Sequence, residues 1–69
     1  MRVIARDGDT VLIADGEVGA SVLPDGRTLV LPVASLAAQG DWEPADGPLP
    51  PFAPADLQAQ IDDFRRHWK

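Results

Sequence analysis

With 69 residues and no cysteine, the chain is long enough for one small domain and offers neither a disulfide nor a thiolate metal site. Its net charge of −5, from 11 acidic and 6 basic residues, argues against binding nucleic acid through the phosphates, which needs a basic face. No apolar run approaches the roughly 20 residues of a membrane span, and a cysteine-free chain whose N-terminus reads as a strand fits a cytoplasmic setting.

Residues 1–33 carry three Asp-Gly pairs, Asp7-Gly8, Asp15-Gly16 and Asp25-Gly26, between strand-forming apolar runs. Asp-Gly between hydrophobic runs signals a two-residue hairpin, because a type I′ turn needs positive φ at both central residues. Three in succession predict a four-stranded antiparallel meander in the order 1-2-3-4. Counting outward from each turn pairs Ile4 with Val11, Val11 with Ala20, and Val22 with Leu29. Alternation then sorts Ile4, Val11, Ile13, Val18, Ala20, Val22, Leu29 and Leu31 onto a core face. The other face holds Val3, Ala5, Thr10, Leu12, Gly19, Ser21, Thr28 and Val30, too small and too apolar for plain solvent surface. Arg6 is expected to pair with Asp9 across the first turn.

Residues 34–53 are read as a connection. Pro32 closes the fourth strand or lies on its free edge. Ser35 is placed to cap a short helical turn, Leu36 to Gln39, closed by Gly40. From Asp41 to Pro54 there are five prolines, so this segment is expected to be extended and outside the sheet interior. It also carries Trp42, Leu49 and Phe52. These groups either lie over the chain's own second face near Gly19 or are presented to a partner, as Pro-rich peptides are to aromatic grooves.

Residues 54–69 predict an amphipathic helix running from Pro54 or Ala55 to about Trp68. Leu57, Ile61, Phe64 and Trp68 form one apolar stripe. Asp62 is spaced to pair with Arg66, and Asp63 with Arg66 or His67. The stripe is expected to pack on the core face of the sheet.

No constellation points to catalysis or a cofactor. His67 is the single histidine and sits among arginines at a helix end. Asp7, Gly8 and Asp9 begin like a calcium loop, but no later acid completes the spacing. Ser21 and Ser35 lack a histidine at useful spacing, and Gly16 and Gly19 lie in a hairpin context rather than at a strand entering a helix.

Asp25-Gly26-Arg27, the run Leu29-Val30-Leu31-Pro32 and the later Gly40-Asp41 resemble the swapped-hairpin DNA-binding half of AbrB- and MazE-type antitoxins. There a glycine turn leads into a strand ending in proline, and a Gly-Asp turn follows. The resemblance spans residues 25–41 and implies a DNA-binding regulator. Between Pro32 and Asp41, however, this chain has no basic residue, so no functional residue is carried over.

The expected molecule is a single α+β domain: the meander with the C-terminal helix across one face, or alternatively a small SH3-like barrel in which the sheet curls on itself. It is expected not to be an enzyme and to need no cofactor. It would act by binding another protein, as an inhibitor, antitoxin or accessory subunit. Surplus apolar groups make Trp42, Leu49, Phe52, Leu12 and Val30 the candidate contact residues. The fourth strand, uncharged from Thr28 to Leu31, is the edge open to self-pairing, so a homodimer is a second expectation.

Overall fold

The computed structural model describes residues 1–68. Strands β1 (Arg2–Asp7), β2 (Thr10–Asp15), β3 (Val18–Val22) and β4 (Thr28–Pro32) form the antiparallel meander. Helix α1 (Val33–Ala37) follows, then β5 (Glu43–Gly47), then α2 (Leu57–Trp68). The sheet therefore has five strands, in the order β4-β3-β2-β1-β5. The four-strand expectation missed β5, which pairs antiparallel with β1 inside the Pro-rich segment. Proline is tolerated there because β5 is an edge strand, and Pro44 leaves no donor unmade on the ladder. As a result, β1 is an interior strand rather than a free edge.

The turns differ from the expected type for a steric reason. In the first two hairpins Asp7 pairs with Thr10 and Asp15 with Val18, so the loops are Gly8-Asp9 and Gly16-Glu17. Only the glycines have positive φ, 61° and 69°, which is the φ pattern of a type II′ turn. A type I′ turn would have forced an aspartate into the left-handed region, which costs energy for any residue with a Cβ. The third loop, Pro24-Asp25-Gly26, is one residue longer. Gly26 N–H donates to the Leu23 carbonyl (2.9 Å), and Leu23 N–H donates to that of Arg27 (2.9 Å). Pro24 suits the first central position of a type I turn, and Gly26 at φ 90° supplies the left-handed residue that closes it.

These turns reset the registers. Val11 stands opposite Val22, Ser21 opposite Leu29, and Ala20 opposite Val30, so the expected Val11–Ala20 and Val22–Leu29 pairs are absent. A two-residue slip keeps each side chain on its face, and a one-residue slip exchanges the faces. The first two hairpins slip by two and the third by one. β2 and β3 therefore keep their predicted faces, while β4 is turned over. In β1 the register shifts between Val3 and Ala5, a bulge at Ile4. The bulge brings Val3, not Ile4, onto the face of Ile13.

Both faces of the sheet bury a core. On one, Val3, Ile13, Val18, Ala20 and Val22 pack with Leu57 and Ile61 of α2, joined by the half-buried Val11, Val30, Phe52 and Phe64. On the other, Ala5, Leu12 and Leu36 pack with Ile4, Leu31 and Trp42. The second face is thus covered by the chain itself, with α1 and Trp42 as the lid. Trp42 Nε1 donates to the Leu36 carbonyl at 2.8 Å, which ties the lid to α1.

Three further local expectations are corrected. α1 begins at Val33 directly after Pro32, so Ser35 lies inside the helix and makes no cap. Asp56 precedes α2, and its carbonyl accepts the N–H of Gln60, so Pro54 and Ala55 lie in a turn outside the helix. Asp62 pairs with Arg65 (3.0 Å) instead of Arg66.

Candidate functional site

The five residues singled out from the sequence do not meet in one patch. Leu12 is buried under Leu36 and Trp42 and does not reach the surface. Trp42 shares that second core. Phe52 and Val30 lie half-buried on the opposite face, packed against the first core. Leu49 is exposed, at 38 %. Phe52 and Val30 nevertheless each border an open groove.

The groove at Phe52 has a volume of about 330 Å³ and lies between the first hairpin and the β5–proline segment. Its apolar floor is Val3, Val11, Ala45 and Phe52, and Pro48 and Pro50 form one wall. Arg6, Asp9 and Asp46 stand at the rim. The topology explains this gathering of charge. Arg6 lies opposite Val11 on one side and opposite Glu43 on the other. Asp9 lies in the hairpin turn, and pairing β5 to β1 sets Glu43 across from Arg6 and brings Asp46 to the groove that Arg6 and Asp9 border. Arg6 Nη2 donates to the Gly8 carbonyl (3.3 Å) rather than pairing with Asp9, because the register carries Asp9 into the turn.

The groove at Val30 lies between the outer edge of β4 and α2. It is lined by Thr28 and Val30 from the strand and by Gln60, Asp63, Phe64, His67 and Trp68 from the helix. His67 Nδ1 lies 2.9 Å from the Asp63 carbonyl oxygen, so the one imidazole is engaged with its own helix.

Along a different side of α2, Asp15 clips the helix to the sheet. Its carboxylate accepts from Gln58 Nε2 (2.9 Å) and Arg65 Nη2 (3.1 Å), and Arg65 also donates to the Asp15 carbonyl (2.7 Å). Asp62 closes the network by accepting from both Gln58 and Arg65. The hydrogen bond from Gln58, then that from Arg65, lowers the Asp15 carboxyl below its usual 3.8. Sequence reading gave no hint of this contact, since Asp15 and Arg65 lie 50 residues apart. The acidic rim was missed for a related reason, because it exists only once β5 is paired.

No helix among the described residues is long and apolar enough to cross a membrane. No family model matches the chain, and no curated protein or solved structure matches it either.

Proposed function

We propose that the protein acts by binding another protein, with the Phe52 groove as the docking face and a basic, extended segment as its counterpart. The observation that carries this reading is the pairing of an apolar floor with an acid-rich rim. Apolar side chains of a partner would fill the floor over Val11, Ala45 and Phe52. Lysine or arginine flanking them would meet Asp9 and Asp46, and the overall charge of −5 would steer such a partner in. The role is that of an inhibitor, antitoxin or accessory subunit, without chemistry of its own. The finer fold reading is a curled, SH3-like sheet. It is supported by β5 returning beside β1 after a single helical segment, and by the bulge that bends β1 at Ile4.

Charge reversal tests the docking face. Asp9 and Asp46 are exposed, so Asp9→Lys with Asp46→Lys should leave the circular dichroism unchanged. A partner retained by the parent should be lost by the double variant, and its addition should shift the amides of Val11, Ala45 and Phe52. Equal retention by both proteins, or shifts mapping elsewhere, would reject the groove. The competing class is a DNA-binding regulator. It predicts retardation of random duplex DNA at low salt, which a chain of this charge should not give.

A further inference from the structure

We infer that the free edge of β4 is an interface for a second copy of this chain, joined by antiparallel β4–β4 pairing. This surface is separate from the Phe52 groove. The backbone groups of β4 fall into two sets, one turned toward β3 and one turned away. Leu23 N–H donates to Arg27, and Val33 N–H donates to Glu17. Antiparallel pairs alternate between hydrogen-bonded and non-hydrogen-bonded. With Arg27 and Val33 bonded to β3, Leu29 and Leu31 are bonded too. Thr28, Val30 and Pro32 therefore turn their backbone groups away from β3, where the sheet has no further strand.

These groups suit a twofold-related copy. With Val30 on the axis, each Val30 exchanges its N–H and C=O with Val30 of the second copy. Each Thr28 N–H then faces the carbonyl of the second copy's Pro32, a residue that can only accept. Leu29, 48 % exposed, would stand opposite Leu31 of the second copy on the face away from α2. On the helix face, the grooves bordered by Val30 and Phe64 in each copy would run together across the axis.

Charge selects β4 over the other edge. Thr28 to Pro32 carries none, so two copies meet there without repulsion. The β5 edge has Glu43 and Asp46, and its Pro44 interrupts donation, which are the usual guards against edge pairing. The interface is also small. Five residues of strand and a groove bury less than the roughly 800 Å² per side of a standard stable complex. The expected dimer is therefore concentration-dependent rather than permanent.

Light scattering from micromolar to hundreds of micromolar should show the mass rising from 7.4 kDa toward twice that. Across the same range, amide exchange at Thr28 and Val30 should slow, while exchange in the Gly8 turn should not change. Leu29→Lys places a charge of each copy at the axis without touching either core. It should raise the dissociation constant about tenfold or more with unchanged circular dichroism. Val30 carrying an N-methyl amide, introduced by chemical synthesis, loses only an outward donor and should weaken the dimer likewise. A mass of 7.4 kDa at every concentration overturns the inference. So does a dimer in which the Thr28 and Val30 amides exchange freely, or one indifferent to both changes. None of these outcomes bears on the Phe52 groove, whose test is retention by the Asp9 and Asp46 variants.

Discussion

Gly19 shows how one residue can serve two elements. A Cβ placed there would stand 2.6 Å from the Ile13 carbonyl oxygen and 2.9 Å from Val33 Cγ2. The first atom belongs to the β2–β3 ladder and cannot retreat without loosening it, while the second is the start of α1. Gly19→Ala is therefore expected to cost about 1–3 kcal/mol by overpacking, read from the midpoint of a urea melt. A midpoint equal to the parent's would show that α1 does not sit on β3. Asp15 makes a comparable link on the helix side. Its carboxyl is lowered below 3.8 in the folded state, so the stabilisation it gives is complete well above that value. It is lost as pH falls through 3.8 and on through the folded value. Asp15→Asn should thus be less stable than the parent at pH 7, with the gap narrowing as pH falls below about 4. A gap that stays constant with pH would mean that the Gln58 and Arg65 contacts do not distinguish the charged form.

The two lids of the sheet differ in how they hold. α2 buries Leu57 and Ile61 completely, whereas Phe64 is only half-buried and packs at the groove. Ile61→Ala should cost about 2–5 kcal/mol, and Phe64→Ala less than the ~3–5 of a fully buried phenylalanine. If Phe64→Ala proved the costlier of the two, the helix would be rotated from the position described. On the opposite face, Trp42 closes the second core and donates to Leu36. Trp42→Ala should expose Leu12 and raise the fluorescence of an apolar dye. No increase would mean that α1 alone covers this face.

At the scale of the whole molecule, the chain is compact as a single copy. Its accessible surface of 4299 Å² is close to the roughly 4,200 Å² expected of a monomer of this mass. Pairing through β4 would therefore add to a folded unit rather than complete one. The two cores share β2, whose Ile13 points to one and Leu12 to the other. Loss of either lid should accordingly destabilise the same transition. Unfolding followed by Trp fluorescence and by circular dichroism should coincide, for the parent and for Ile61→Ala alike. Two separated transitions would mean that the cores melt independently.

The sequence by itself determined the antiparallel meander, the faces of β2 and β3, and the C-terminal helix with its apolar stripe. These follow from local causes: glycine at turns, alternation in strands, and helical spacing in Leu57, Ile61 and Phe64. Turn chemistry was legible in kind but not in detail. Asp-Gly marked each reversal, yet which two or three residues formed the loop depended on keeping aspartate out of the left-handed region and on Pro24. That single-residue difference turned β4 over and brought Val30 to the helix side. The tertiary structure alone decided β5, the bulge at Ile4, the Asp15–Arg65 clip and the acidic rim of the Phe52 groove. Each joins segments far apart in the chain, and the β5 segment has weak strand propensity of its own. Glu43 to Gly47 is a strand because β1 offers it a ladder, and the candidate site exists because that ladder brings Asp46 to the groove that Asp9 borders.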